Sequence, residues 1–220
     1  MTIKLILADD HQVILEGLRN LINQEVDMEV VAEARDGREA VALCREHRPD
    51  LVVMDVAMPH LNGIEACRQI MAEAPGCRVL ALSMHADKQY AAGMLGAGAS
   101  GYLLKDCAFD ELAEAIRTIA AGRTYLSDEM AGIVVKDYVQ RLTEPGPDPA
   151  NAFSVLTSRE REVLQLVAEG HTTKQIASML HVSVKTIESH RQNLMDKLEI
   201  RSVAELTKYA VREGLTSLDA

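Results

Sequence analysis

Aromatic residues are scarce in this chain of 220 residues, which contains no Trp and only two Phe. Its cores must therefore be built from aliphatic side chains and Met, and hydrophobic residues make up 48% of the sequence. No run of about 18 or more apolar residues occurs, so we expect no membrane-spanning helix and no membrane partner. The first residues also lack the apolar core and cleavage site of a secretory signal. These absences predict a cytoplasmic globular protein.

Closely spaced cysteines are missing as well. The four cysteines are Cys44, Cys67, Cys77 and Cys107, and no two of them form a Cys-x-x-Cys pair. The spacing that is typical of zinc sites and dithiol redox motifs is therefore absent. Because a free cysteine usually behaves as a small buried apolar residue, we predict reduced thiols in the core.

The chain has no excess of positive charge, since its net charge is −10. An acidic protein does not bind nucleic acid loosely with its whole surface. The charge is uneven, however: residues 1–122 hold 11 basic and 19 acidic residues, whereas residues 153–220 hold nine of each. A local nucleic-acid contact surface in the neutral C-terminal third is therefore compatible with the composition.

Residues 1–122 alternate between short apolar runs and longer segments with apolar residues at helical spacing. The runs predict strands at 3–8, 28–33, 51–54, 78–82 and 101–104. Five strand–helix repeats of this length predict an α/β domain with a doubly wound, parallel, five-stranded sheet. Ligands of such sheets bind beyond the carboxyl ends of the strands.

The remaining sequence predicts a linker and a small helical domain. Residues 123–152 form the predicted linker, with a helix at 127–142 and then a segment rich in Pro and Gly. Residues 153–217 predict an all-α domain of four helices, and Thr157 with Glu160 fits a capping box at its start. Two short helices joined by a tight turn are typical of a helix-turn-helix motif.

Three carboxylates follow predicted strands and should gather at one edge of the sheet. Asp9 and Asp10 follow the first strand, and Asp55 follows the third. Like charges this close require a cation or a raised pKa, and Mg²⁺ prefers oxygen ligands of this kind. Asp55 is the candidate nucleophile, because an Asp can form an acyl phosphate.

Two more polar residues follow the fourth and fifth predicted strands. Ser83 offers a hydroxyl donor, and Lys105 offers a positive charge toward a phosphoryl oxygen. Each residue taken alone has an ordinary alternative: Asp10 could cap the next helix, and Lys105 could be a solvated surface residue. Together with Asp9 and Asp55 at matching strand ends, they favour a site for phosphoryl transfer onto a carboxylate.

Residues 1–122 resemble the receiver domain of a two-component response regulator. The resemblance rests on Asp9-Asp10, Asp55, Met58-Pro59, Gly63, Ser83 and Lys105. It implies the flavodoxin-like strand order 2-1-3-4-5. It also implies that a sensor histidine kinase supplies a phosphoryl group to Asp55.

The same resemblance implies a metal site and a switch. Mg²⁺ would be bound by Asp10, Asp55 and the backbone carbonyl of Ala57, with Asp9 acting directly or through water. Tyr102 matches the aromatic switch position, whose ring turns inward as the Ser83 hydroxyl moves toward the phosphoryl group. The alternative for Tyr102 is a half-buried aromatic side chain at the edge of the sheet.

Residues 153–217 resemble a LuxR-type helix-turn-helix domain. The resemblance is carried by residues 156–164, 174–177, 182–187, 190–194 and 197–198. On the predicted third helix, one face presents Lys185, Glu188, Ser189 and Gln192. Gln192 could pair with adenine and Glu188 could accept a hydrogen bond from cytosine. The alternative is that this stripe is an ordinary solvated face.

Basic and hydroxyl residues around this stripe are predicted phosphate contacts. The candidates are Lys185, Thr186, Arg191 and Lys197, and Lys174 belongs to the same DNA-binding surface. Because the Glu188 carboxylate weakens binding to phosphates, we expect modest affinity per monomer. A homodimer on paired half-sites would restore the affinity, with the helix at 202–213 as the dimer face that the family uses.

The leading hypothesis is a transcription factor controlled by phosphorylation, which catalyses only its own phosphorylation and dephosphorylation. Its expected partners are a sensor histidine kinase, double-stranded DNA, RNA polymerase and a second copy of the chain. One alternative is a phosphatase with an aspartyl-phosphate intermediate, but Ala57 stands where such an enzyme would have its general acid. Another is a phosphorylation-independent DNA-binding protein with a vestigial receiver.

Overall fold

A computed structural model describes residues 2–84, 88–143 and 155–216. The chain divides into two compact units, Met1–Glu144 and Pro145–Ala220. Each unit has a hydrophobic core of its own. The predicted segment rich in Pro and Gly lies outside the described residues. Within the described ranges, no helix is long and apolar enough to cross a bilayer.

The first unit alternates strands and helices along its whole length. Its elements are β1 Ile3–Ala8, α1 Gln12–Ile22, β2 Met28–Ala34, α2 Gly37–His47, β3 Leu51–Asp55, α3 Gly63–Glu73, β4 Arg78–Ser83, α4 Lys88–Ala97, β5 Gly101–Leu104, α5 Phe109–Ala120, β6 Tyr125–Leu126 and α6 Asp128–Thr143. The predicted α/β class and the five predicted strand positions are confirmed.

All strands of the sheet are parallel, in the order β2-β1-β3-β4-β5-β6. The predicted order of the first five strands is confirmed, but the predicted count of five is wrong. The sixth strand, β6, pairs Tyr125 with Gly101 and Leu126 with Tyr102. A strand of two residues is too short to produce a periodic hydrophobic pattern, which explains why the sequence did not indicate it.

The central strands are buried on both faces, as expected of a parallel sheet covered by helices. Every residue of β3 is buried. Polar side chains cap the helices that follow β2 and β3: Asp36 accepts a hydrogen bond from the Glu39 amide at 2.9 Å, and Asn62 accepts one from the Glu65 amide at 3.0 Å. These caps set the length of the loops at the carboxyl edge of the sheet.

The described part of the second unit is helical, with α7 Ser158–Ala168, α8 Thr173–Met179, α9 Val184–Leu198 and α10 Val203–Arg212. The predicted four-helix domain is therefore confirmed. Thr157 and Glu160 form the predicted capping box, and Thr172 with Gln175 forms a second one at the start of α8. The core takes fully buried aliphatic side chains from each helix, among them Leu164, Ile176, Ile187, Leu194 and Leu206.

Candidate phosphoryl-transfer and DNA-binding sites

Asp9 and Asp55 lie side by side at the carboxyl edge of the sheet. Asp9 follows β1 and Asp55 ends β3, and these two strands are hydrogen-bonded neighbours. Asp9 is 2% exposed and Asp55 is 5% exposed, whereas Asp10 is exposed. Two carboxylates withdrawn from water require compensating positive charge.

Lys105 supplies that charge from the end of β5. Its Nζ lies 2.6 Å from Oδ2 of Asp9 and 3.0 Å from Oδ2 of Asp55. The Lys105 side chain is itself 4% exposed, so its position is fixed by the two ion pairs rather than by solvent. One ammonium ion thus bridges two acids from different strands.

Burial and the neighbouring charges shift the pKa values of Asp55 and Lys105. Burial raises the pKa of Asp55 to about 6, the negative charge of Asp9 adds to the effect, and Lys105 opposes it. Burial would lower the pKa of Lys105, but the carboxylates of Asp55 and Asp9 outweigh it and the pKa rises. Lys105 therefore stays charged at neutral pH. Asp55 takes up a proton at a higher pH than an ordinary aspartate does.

His11 contacts the acidic pair and was not anticipated from the sequence. Its Nδ1 lies 3.1 Å from Oδ1 of Asp9 and 2.9 Å from Oδ1 of Asp10. The His11 backbone amide also donates a hydrogen bond to Oδ1 of Asp9 at 2.9 Å. The only signal in the sequence was its position directly after Asp9-Asp10.

The donor set at this edge fits a hard divalent cation. One oxygen each from Asp9, Asp10 and Asp55, with one ring nitrogen of His11, all lie within 4.8 Å of one another. Ligands around an octahedral Mg²⁺ are separated by roughly 3 to 4 Å, so the carboxylates need little rearrangement to bind one. Ala57, two residues after Asp55 and between β3 and α3, is exposed.

Ser83 and Tyr102 occupy adjacent strands beside the acidic cluster. Ser83 ends β4 and is buried, and its carbonyl accepts a hydrogen bond from the Lys105 amide at 2.7 Å. Tyr102 in β5 is fully buried and β6 lies outside it, so the alternative of a half-buried aromatic side chain at the sheet edge is wrong. The Tyr102 switch role stays a prediction.

The stripe predicted on the third helix of the second unit is exposed on α9. Lys185, Glu188, Ser189 and Gln192 are all exposed, whereas Ile187 and Leu194 on the other side of the helix are buried. Gln192 donates a hydrogen bond from Nε2 to Oδ1 of Asp196 at 2.9 Å. On α8, Lys174 is exposed too. These side chains are available to a ligand in solvent.

Three other predicted DNA contacts have partners inside the second unit. The Thr186 hydroxyl lies 2.8 Å from the Ser183 hydroxyl at the start of α9. Nη1 of Arg191 donates to the Thr173 hydroxyl at 2.9 Å, and Nζ of Lys197 donates to Oε2 of Glu160 at 2.7 Å. The pairings of Arg191 and Lys197 were not predictable from local sequence, because their partners lie 18 and 37 positions away.

Two family models match the chain, one in each unit. The model described as the response regulator receiver domain matches residues 5–117. The model described as bacterial regulatory proteins, luxR family, matches residues 154–210. The first match includes Asp9, Asp55, Ser83 and Lys105, and the second includes all of α9.

One relative is similar over nearly the whole chain, and one solved structure is similar over part of it. The oxygen regulatory protein NreC of Staphylococcus epidermidis is 39% identical over 214 residues, which are 96% of this chain and 98% of that protein. A LuxR-family response regulator from Aurantimonas sp. is 41% identical, with a TM-score of 0.61, over 63% of this chain and 99% of the solved chain.

The response regulator RcsB of Salmonella typhimurium has a similar structure. It is 25% identical, with a TM-score of 0.57, over 96% of this chain and 99% of the solved chain. A complex of RcsB with DNA matches with a TM-score of 0.59, at 25% identity, over 95% of this chain and 98% of that one. RcsB has also been solved as dimers bound to DNA.

Proposed function

Since this chain belongs to the DNA-binding response regulators, with a receiver domain and a LuxR-type domain, we propose that Asp55 is its phosphoacceptor. The observation that carries the proposal is the Lys105 ammonium ion, which contacts both Asp55 and Asp9 at the buried carboxyl edge. A fixed cation beside a carboxylate nucleophile suits a reaction that delivers a negatively charged phosphoryl group.

In the proposed reaction, a carboxylate oxygen of Asp55 attacks the phosphorus atom of a phosphorylated histidine on the donor kinase. The P–N bond breaks, the imidazole leaves, and Asp55 is left as an acyl phosphate. Lys105 then faces the added negative charge. Ser83, one strand away, can donate a hydrogen bond from its hydroxyl to a phosphoryl oxygen. Mg²⁺, held by Asp9, Asp10, Asp55 and the Ala57 carbonyl, would neutralise charge on the transferring group. The chain would catalyse its own phosphorylation and dephosphorylation only.

The family and the acceptor site also support a set of partners. A sensor histidine kinase is the proposed phosphoryl donor, and the cytoplasm is the proposed compartment. The exposed stripe of α9 is the proposed reader of the DNA major groove. The RcsB dimers on DNA support a homodimer as the DNA-bound or phosphorylated form, and RNA polymerase is the proposed downstream partner.

The acceptor is tested by incubating the full-length protein with Mg²⁺ and acetyl phosphate, followed by intact mass measurement. The wild type should gain the mass of one phosphoryl group, and Asp55→Asn, which keeps the shape of the side chain, should gain none. Equal labelling of this variant would exclude Asp55 as the acceptor. Sustained turnover of a phosphomonoester by the wild type would instead favour the phosphatase alternative.

DNA recognition is tested with a duplex selected from random sequences by the phosphorylated protein. Replacing Gln192 by Ala should relax the preference at one base pair, at a cost of about 1–3 kcal/mol for the preferred base. Replacing Lys185 by Met should weaken binding to all sequences alike and reduce the salt dependence. If neither variant changes binding, α9 does not read DNA. If Asp55→Asn binds as tightly as the phosphorylated wild type, the receiver is vestigial.

A further inference from the structure

One oxygen of Glu160 joins two parts of the second unit. Oε2 of Glu160 accepts hydrogen bonds from the Thr157 amide at 2.9 Å and from the Thr157 hydroxyl at 3.0 Å. The same atom accepts a hydrogen bond from Nζ of Lys197 at 2.7 Å. Glu160 is 4% exposed. These three donors therefore replace the water that burial removes from its carboxylate.

The pair joins the first turn of α7 to the last turn of α9. A carboxylate at a helix N-terminus and an ammonium ion at a helix C-terminus each interact favourably with the dipole of their own helix. Glu160 and Lys197 satisfy both conditions while they also neutralise each other. The C-terminal end of α9 is thereby attached to a rigid, capped helix of the same unit.

A second contact, a hydrogen bond to a neutral hydroxyl, holds the middle of α9. Nη1 of Arg191 donates to the Thr173 hydroxyl at the first residue of α8. The candidate recognition helix is therefore fixed to the N-terminal ends of both preceding helices. In each contact the cation lies on α9 and the acceptor lies on its neighbour.

We propose that Lys197 is a positioning residue for DNA binding, which sets the orientation of α9 through its ion pair with Glu160 rather than by contacting a phosphate. The proposal rests on DNA binding by α9. It differs from the phosphate contact that the sequence predicts, because the charge of Lys197 is already compensated by a buried carboxylate. A neutral pair attracts a phosphate far less than a free ammonium ion does.

A phosphate contact by Lys197 and a positioning role of Lys197 predict opposite effects of Glu160→Gln on DNA affinity. A glutamine retains the capping box, since its side-chain oxygen can accept the same hydrogen bonds from Thr157, but it releases the charge of Lys197. If Lys197 bound a phosphate, this release should tighten DNA binding and steepen its salt dependence. If Lys197 positions α9, Glu160→Gln should weaken binding and leave the salt dependence unchanged.

The experiment measures the affinity of the full-length protein for the selected duplex by fluorescence anisotropy over a series of salt concentrations, with acetyl phosphate and Mg²⁺ present. We expect Lys197→Met and Glu160→Gln each to lower the affinity about two- to fivefold, as suits a partly exposed ion pair. The double variant should lose no more than the single variants do. All three should retain the wild-type slope of log K against log salt.

Lys185→Met is the matched control, because it removes an exposed lysine from the same helix. Its slope should fall by about 0.9, the value for one lost phosphate contact; an unchanged slope would mean that α9 does not contact DNA, which is a failure of the proposed function itself. Lys197→Arg, which can keep the ion pair, should restore affinity and guards against misfolding of the methionine variant. Tighter binding by Glu160→Gln, or a slope for Lys197→Met that falls as in the control, would overturn the positioning role.

Discussion

The Nζ atom of Lys105 lies 3.0 Å from Oδ2 of Asp55, and the two side chains are 4% and 5% exposed. A lysine and an aspartate this deeply buried cannot exchange their contact for water without opening the edge of the sheet. The pair therefore links the chemistry of the receiver to its stability. Substituting either residue should change both the labelling of Asp55 and the stability of the receiver unit. Loss of the Lys105 charge should lower the stability, and loss of the Asp55 charge should raise it.

Lys105→Met should destabilise the receiver unit by about 3 kcal/mol at pH 7, because Asp9 and Asp55 lose the cation between them. The pKa of Asp55 should rise further, and labelling by acetyl phosphate should slow. Urea unfolding followed by circular dichroism checks the first effect and mass measurement the second. Lys4→Met, which removes an exposed lysine from β1, should change the stability by less than about 0.5 kcal/mol.

Asp55→Asn should stabilise the receiver unit at neutral pH when divalent cations are chelated. Burial raises the pKa of Asp55 from 3.8 to about 6 in the folded state. The wild-type carboxyl therefore costs no stability below pH 4 and an increasing amount as the pH rises to 6. The gain from the amide should reach about 3 kcal/mol above pH 6. Urea unfolding at pH 4 and pH 8 measures the difference, and an equal gain at both would contradict the raised pKa.

Gly63→Ala should disrupt the loop between β3 and α3. A Cβ atom at Gly63 would lie 2.2 Å from the Asp55 carbonyl oxygen and 3.0 Å from Cα of Val56, so the backbone beside the acceptor must move. We expect a loss of about 2 kcal/mol or more and slower labelling of Asp55. Gly17→Ala is the matched control: its Cβ would meet nothing within 4 Å, and the change in α1 should stabilise by about 0.5–1 kcal/mol.

Met130→Ala tests whether the start of α6 is an integral part of the receiver unit. Met130 is fully buried, and α6 contacts α4. Truncation should cost about 2–4 kcal/mol by leaving a cavity. Val135→Ala on the same helix removes a side chain that is 61% exposed and should cost less than about 0.5 kcal/mol. Equal urea midpoints for the two variants would mean that α6 is not integral to the unit.

The part of the fold that depends on regular hydrophobic patterns was predictable from sequence. Five strands were located because each is a short apolar run between helical segments, and parallel order then places Asp9 beside Asp55. Lys105 could be placed at the same edge for the same reason. The alternation of strands and helices was therefore enough to predict that these residues lie close together.

What the sequence did not indicate depends on contacts without a local signal. The pairing of β6 is decided by the exposed edge of β5, not by Tyr125 and Leu126 alone. Lys197 and Glu160 each fit a pattern of their own, as a cation near α9 and as part of a capping box, and only packing of α7 against α9 joins them. The position of His11 between two carboxylates likewise results from the turn after β1.

The short strand β6 also bears on how the protein behaves at high concentration. Without it, β5 would offer unpaired amides and carbonyls along the edge of the sheet, which is a template for strand exchange between molecules. The pairing of Tyr125 and Leu126 with Gly101 and Tyr102 occupies those groups. Because β6 is only two residues long, the edge that it presents is shorter than the edge of β5. Strand exchange at this end of the sheet therefore has a shorter template.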